Sequence, residues 1–220
     1  MNLRVSYIFL MMVLSLTWVS AADHDEVDLE TFQQLLEKRD LYETVTATIV
    51  QEKQVPSLIE PLVTQGELWL KPRLAFRWEK GDPVSDVAIY DGDKVYLVNV
   101  AEGLVEDYKP SSRSVRELML LAGVGESSTY EGILDSFEAV DAQSGDGQYT
   151  ITLEPDSGVM KRVLKQLTIV FDLATSFPTE IEWSQKDGTV ARTLFKNVTF
   201  DQKIADEVFT APEEESKVEE

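Results

Sequence analysis

The chain has 220 residues, 43% of them hydrophobic and 27% charged, which is the composition of a globular protein of one or two domains. Its 20 basic and 40 acidic side chains give a formal net charge of −20, which argues against binding to nucleic acids or anionic lipid surfaces. The absence of cysteine excludes disulfides and thiolate metal sites, and the single histidine, His24, leaves almost no material for histidine-based catalysis.

The first 22 residues have the pattern of a secretory signal peptide. Arg4 supplies a positive start, residues 7–19 form a mostly apolar run, and Ala21 or Ala22 offers a small residue for cleavage. The alternative is an uncleaved membrane anchor, but the apolar run is short for a membrane span and polar residues follow it directly. We therefore expect residues 1–22 to be removed on export.

The next segment predicts one helix followed by strands. Residues 28–41 carry apolar side chains at Leu29, Phe32, Leu35 and Leu36, which is the spacing of an amphipathic helix. The apolar period then changes to two, which is typical of strands with one buried face. Six strands are predicted, at residues 42–54, 62–71, 75–80, 84–90, 94–100 and 104–108, with an Asp-Gly hairpin turn at 91–92.

Helical spacing returns at residues 112–122, and a shorter helix is predicted at 129–137. Five further strands follow, at residues 137–141, 148–154, 165–172, 179–186 and 190–198. Because all other connections are short, the eleven strands are predicted to form a meandering antiparallel sheet. The acidic tail at 213–220 has little to bury and is predicted to be disordered.

One face of this predicted sheet is strongly apolar and needs a cover. A sheet of eleven strands curls rather than stays flat, and three short helices cover a wide concave face only thinly. The pattern therefore allows a half-barrel with an apolar hollow, and the alternative is a fully packed sandwich. The residues predicted to line the hollow are Val45, Ile49, Leu68, Leu70, Phe76, Trp78, Val87, Ile89, Leu97, Leu118, Ile169, Phe171 and Trp183.

No group of residues has the pattern of a catalytic or metal site. Gly123 and Gly125 follow a helix rather than a strand and lack the third glycine of a phosphate-binding loop. Residues 141–147 combine acids and glycines as a calcium loop does, but they lack its alternating ligands. We therefore predict no enzyme activity, no metal and no cofactor.

A basic cluster, Lys71, Arg73 and Arg77, lies in sequence beside aromatic residues. One interpretation is a set of solvated cations at a strand end. The other is a group of hydrogen-bond donors at a cavity mouth that hold a helix through its backbone carbonyls.

Several motifs occur together in the order of a known family. The run 66–71 (GELWLK), followed by Phe76-Arg77-Trp78, the turn at 91–92 and an ending of Phe209-Thr210-Ala211-Pro212, resembles the LolA family of outer-membrane lipoprotein carriers. The resemblance extends over about residues 29–212. It implies an unclosed, strongly curved antiparallel β-barrel of about eleven strands with helices as a lid, in a carrier domain at residues 23–212.

The resemblance also implies a function in the periplasm. Family members receive lipoproteins from an inner-membrane ABC transporter, shield the acyl chains in an apolar cavity and transfer them to an outer-membrane acceptor. Each CH₂ kept from water contributes about 0.8 kcal/mol to the free energy of binding, so acyl chains need such a cavity. The family has Arg-Pro after the lysine, whereas this chain has Pro72-Arg73, so Arg73 or Lys71 is expected to latch the lid. We expect a monomer that binds no nucleic acid.

The alternative function is a periplasmic lipid- or lipoprotein-sensing regulatory module of the same fold. We rank it lower because regulators of this kind carry a second domain.

Overall fold

A computed structural model describes residues 27–156, 158 and 160–211. The predicted signal peptide at 1–22 and the predicted tail at 213–220 lie outside these residues. Within the described part of the chain, no helix combines the length and the apolar character needed to cross a membrane.

The described residues form eleven strands and three α-helices. The helices are α1 (Leu29–Arg39), α2 (Arg113–Ala122) and α3 (Tyr130–Leu134). The strands are β1 (Val45–Gln54), β2 (Leu62–Lys71), β3 (Ala75–Lys80), β4 (Asp86–Tyr90), β5 (Val95–Asn99), β6 (Leu104–Tyr108), β7 (Phe137–Gly145), β8 (Gln148–Pro155), β9 (Leu164–Asp172), β10 (Pro178–Gln185) and β11 (Val190–Phe200). The eleven predicted strands are confirmed, and the predicted helix at 129–137 is shorter than expected.

All eleven strands belong to one antiparallel sheet. Its order is β6-β5-β4-β3-β2-β1-β11-β10-β9-β8-β7, so the first and last strands pair in the middle and β6 and β7 are its two edges. The connection between those two edges carries α2 and α3. The predicted unclosed, mainly β architecture with helices over one face is therefore confirmed, because the edges do not pair with each other.

The helices pack on the concave face of the sheet. Asp28 caps α1 by accepting a hydrogen bond from the Thr31 amide at 3.0 Å, and the helix then buries Phe32, Leu35 and Leu36 against the sheet. In α2, Val115 and Met119 are buried in the same core cluster. The helix ends at Gly123, whose φ of 69° is left-handed and suits a glycine C-cap.

Gly66 allows β2 and β3 to approach closely. A Cβ atom added at this position would lie 1.9 Å from the carbonyl oxygen of Glu79 on β3, a contact that real side chains do not make. Only glycine fits there, which explains in physical terms the first residue of the run at 66–71.

Candidate functional site

A cavity of about 510 Å³ lies between α2 and the part of the sheet formed by β3 to β6. Its volume falls within the range of about 300–1,000 Å³ that is usual for small-molecule sites. The residues that line it are Gln51, Trp78, Lys80, Asp86, Val87, Ala88, Leu97, Val98, Asn99, Leu104, Glu106 and Leu118. Among the described side chains of the lid helix α2, Leu118 lines this cavity.

The cavity has an apolar floor and a polar end. Trp78, Ala88 and Leu97 are successive partners across β3, β4 and β5, so they form one row of the concave face. The next row along the same strands consists of Lys80, Asp86 and Asn99. On β6 the first row continues to Glu106 and the second to Leu104. An amphiphile would therefore find mainly apolar side chains along one row and mainly polar side chains along its neighbour.

The rest of the concave face is packed rather than hollow. Eight of the nine predicted lining residues outside the cavity belong to a core cluster that α1, α2 and α3 cover, and each of the eight is 5% exposed or less: Val45, Ile49, Leu68, Leu70, Phe76, Ile169, Phe171 and Trp183. The space left beside Leu68, Leu70, Ile169 and Phe171 is about 20 Å³, roughly the size of one water molecule. In the structure as it stands, only Trp78, Val87, Leu97 and Leu118 of the predicted set line the larger cavity.

Two predicted lining residues, Val87 and Ile89, do not share the face of Trp78. Their partners on β3 are Glu79 and Arg77, whereas Trp78 pairs with Ala88, and directly paired residues project to the same face. Ile89 is fully buried and does not line the cavity, while Val87 still contributes to its wall. The prediction of one shared face was therefore wrong for β4, because both faces of that strand are apolar.

Lys71, one of the two predicted latch residues, lies on the convex face of the sheet. It forms an ion pair with Asp206, and its Nζ atom lies 5.0 Å from the centre of the Phe209 ring. Arg77 on the same face donates a hydrogen bond to the carbonyl of Val208 at 3.4 Å. These residues hold the C-terminal turn at 206–209 against the outside of the sheet, so the latch prediction for Lys71 is corrected.

Arg73, the other predicted latch residue, lies at the base of the lid. Its main chain forms an isolated bridge with Val124, just after α2, and its Nε atom lies 3.8 Å from the carboxylate of Asp40. The side chain is 58% exposed. Arg73 therefore reaches the lid segment through its backbone, and its charged group faces Asp40 instead of a lid carbonyl.

Sequence reasoning missed Arg39, which makes the contact expected of a latch. Its Nη2 atom donates to the carbonyl of Ser128 at 3.2 Å and to the carboxylate of Asp40 at 2.7 Å. A Cβ atom at Gly123 would lie 3.3 Å from Nη1, so this glycine packs against the guanidinium. Burial lowers the pKa of Arg39 from its ordinary value, and Asp40 opposes the shift. In the sequence, a basic residue in the last turn of α1 indicates only a favourable helix dipole.

Two buried polar atoms on the concave face lack a hydrogen-bond partner among the described residues. They are the indole Nε1 of Trp183 and the hydroxyl of Thr193. An unpaired buried polar group destabilises a fold by about 1–3 kcal/mol, so such groups call for an explanation. Thr193 is the direct partner of Gln51 in the pairing of β1 with β11, and Gln51 lines the cavity.

Comparison with known proteins gives one family and 73 chains of solved structures. The family model described as "Outer membrane lipoprotein carrier protein LolA" matches residues 40–212. An outer-membrane lipoprotein carrier protein of Chromohalobacter salexigens is 31% identical over 93 residues, which is 42% of each chain, so the match spans less than half of that relative.

Two of the solved structures found are the following. An uncharacterised conserved protein of Thermus thermophilus has a TM-score of 0.52 at 11% identity, covering 84% of this chain and 96% of its own. A LolA superfamily protein of Nitrosomonas europaea has a TM-score of 0.44 at 10% identity, covering 81% of this chain and 97% of its own.

Proposed function

Because the chain belongs to the LolA family, whose model matches residues 40–212, we propose that it is a periplasmic carrier of lipoprotein acyl chains. In this proposal the cavity between α2 and β3–β6 holds the acyl chains and shields them from water. The carrier receives its cargo from an inner-membrane ABC transporter and delivers it to an outer-membrane acceptor. The signal-peptide pattern at residues 1–22 supports export of the chain to the periplasm.

The observation that carries the proposal is the 510 Å³ cavity, with an apolar floor below and Leu118 of a lid helix above. Acyl burial is driven by the hydrophobic effect, at about 0.8 kcal/mol for each CH₂ removed from water. A groove that is open on one side removes only part of the bound acyl chain from water. Binding is then strong enough for transport and weak enough for release.

The contacts of the lid suggest how the cavity opens. Arg39 ties the carbonyl of Ser128, after α2, to the end of α1. At the other end of α2, the N-cap residue Ser112 makes no side-chain capping bond. In our proposal Arg39 is the latch: when its hydrogen bond to Ser128 breaks, the segment at 123–128 is released and α2 lifts from the cavity.

Titration with a fluorescent acyl probe tests the proposal. We expect saturable binding by the wild-type protein and its loss in Leu97→Glu, which places a charge on the apolar floor. Val140→Glu is the control, because Val140 is exposed and lies on β7, at the opposite edge of the sheet from the cavity. Equal binding by the two variants, or no binding by the wild type, would contradict the proposal.

Mass spectrometry of protein purified from the periplasm separates the carrier from the regulatory alternative. Lipoproteins with different sequences but a common acylated end support a carrier. A single membrane-bound regulatory protein as the stable partner would support the sensing module instead.

A further inference from the structure

The concave face carries a short group of hydrogen-bonding side chains beside the cavity wall, which we call the polar step: Gln51, Thr193 and Trp183. Thr193 is fully buried and Trp183 is 5% exposed, and the hydroxyl of the first and the indole N–H of the second have no partner among the described residues. Both side chains lie on the face that the helices cover, since Thr193 pairs with the core residue Ile181 and Trp183 belongs to the core cluster. The fold therefore keeps two hydrogen-bonding groups inside without using them for its own structure.

The strand register connects this step to the cavity. Gln51 on β1 is directly opposite Thr193 on β11, and direct partners have Cβ atoms about 4.5–5.5 Å apart. Trp183 lies two residues after Ile181, the other partner of Thr193, and is therefore its diagonal neighbour. Gln51 itself lines the cavity, so the two buried groups lie behind a residue that is already part of the cavity wall.

Gly66 lies on the concave face between Gln51 and the remaining cavity residues. This residue takes the concave position between Ile49 on β1 and Lys80 on β3. The main chain of Glu79 closes over this position, so the surface there is backbone. Thr64 on β2 is the direct partner of Gln51 and the diagonal neighbour of Lys80, so polar side chains connect the polar step with the polar end of the cavity.

The chemistry of the step favours a neutral acceptor. A threonine hydroxyl, a glutamine amide and an indole N–H all donate hydrogen bonds, and a carbonyl oxygen accepts them. A carboxylate also accepts, but among the described side chains the cavity is lined by Asp86 and Glu106 against one cation, Lys80, and the chain as a whole carries −20. This negative surrounding disfavours a free fatty acid and leaves an ester or amide carbonyl.

We propose that Gln51 and Thr193, with Trp183 behind them, form a subsite for the ester or amide carbonyl that joins an acyl chain to its cargo. The carbonyl lies at the polar end, and the hydrocarbon tail runs over Trp78 and Leu97 beneath Leu118. The inference rests on the proposed function, because it assigns a chemical class and an orientation to the ligand of the same cavity.

Three probes with the same hydrocarbon tail test the subsite: palmitic acid methyl ester, hexadecyl methyl ether and palmitic acid. Each is titrated against a bound fluorescent acyl probe. The ester is expected to bind about 3–10-fold more tightly than the ether, the effect of one to two hydrogen bonds. The free acid is expected to bind more weakly than the ester at neutral pH.

Thr193→Val removes the hydroxyl without changing the shape of the side chain. This variant should lose most of the ester preference and retain the affinity of the wild type for the ether, while Thr193→Ser should keep the preference. The variant is expected to fold, because it replaces an unpaired buried hydroxyl with a methyl group, and urea unfolding checks this directly.

The possible outcomes separate the two claims. If none of the probes binds the wild type, the proposed function fails. If the ester and ether bind equally and Thr193→Val changes neither, the cavity stands and the carbonyl subsite is wrong, with a structural water the remaining partner of the hydroxyl. Equal affinity for the free acid and the ester would overturn the assignment to a neutral carbonyl.

Discussion

Arg39 donates a hydrogen bond from Nη2 to the main-chain carbonyl of Ser128 at 3.2 Å, and this bond joins the end of α1 to the turn after α2. The guanidinium is buried and also binds Asp40, so its position is fixed, and the turn after α2 packs against it. Because α2 supplies Leu118 to the cavity, the same contact connects the lid to the space that we propose holds cargo.

Replacing Arg39 with methionine should loosen the lid. The variant removes the donor of the Ser128 carbonyl and leaves Asp40 with only the longer contact to Arg73 at 3.8 Å, and breaking a buried ion pair costs about 3 kcal/mol of unfolding free energy. We expect urea unfolding to show a loss of this size. Stopped-flow displacement should show a faster dissociation of the acyl probe than from the wild type.

Lys71→Met is the control for the latch, because Lys71 pairs with Asp206 on the convex face. This ion pair is largely exposed on its acidic side, so its loss should change stability by less than about 1 kcal/mol. The dissociation rate of the probe should stay at the wild-type value. Faster dissociation from Lys71→Met, with no effect of Arg39→Met, would restore Lys71 as the latch.

The close approach at Gly66 makes a sharp prediction for stability. In Gly66→Ala the new methyl group would lie against the Glu79 carbonyl, and relief of the clash requires β2 and β3 to separate. We expect a loss of at least about 2 kcal/mol in urea unfolding, at the upper part of the range for overpacking. Gly145→Ala is the control, since no atom lies within 4 Å of that position. Similar effects of the two variants would contradict the explanation.

The sequence predicted the sheet well because strands of this kind have a clear apolar period. Eleven strands, the turn at 91–92 and the helix at 112–122 all follow from local patterns, and the structure confirms them. Local patterns do not show how far a helix reaches over a sheet. The sequence therefore could not tell that helices fill the side of Phe171 and leave the side of Leu97 hollow.

The predictions for individual side chains fail for a related reason. In β4, Val87 and Ile89 form an apolar pair, and so do Ala88 and Tyr90, so periodicity cannot choose the concave face. Only the pairing with Trp78 makes that choice. Arg39 is likewise invisible in the sequence, because its burial depends on a turn 89 residues away.

The C-terminal turn should contribute to stability from outside the cavity. Phe209 is 5% exposed and packs beneath Lys71 on the convex face. Phe209→Ala is expected to lower the unfolding free energy by about 3–5 kcal/mol without changing the affinity for the acyl probe. Ile59→Ala, at a fully exposed position, should stay within about 0.5 kcal/mol. A large loss of probe affinity in Phe209→Ala would show that the convex face and the cavity are coupled.

Asp172 gives a pH-dependent contribution of known sign. Hydrogen bonds from the amide and hydroxyl of Thr175, at 2.7 and 2.9 Å, lower the pKa of this carboxyl below its ordinary value. Its stabilisation is therefore complete above the unfolded pKa of about 3.9 and is lost as the pH falls through the lower folded pKa. Asp172→Asn should be less stable than the wild type at pH 7, and the difference should shrink below about pH 4. Urea unfolding at each pH checks this, and a difference that grows in acid would refute the assignment.

Photolabelling tests most directly whether acyl chains occupy the cavity. A palmitoyl probe with a diazirine on its tail is bound to the purified protein, activated by light and mapped by peptide mass spectrometry. We expect label on Trp78, Leu97 and Leu118, competed away by unlabelled acyl ester. Label confined to exposed apolar residues such as Ile59, or label that excess ester does not reduce, would contradict the assignment of this cavity as the acyl site.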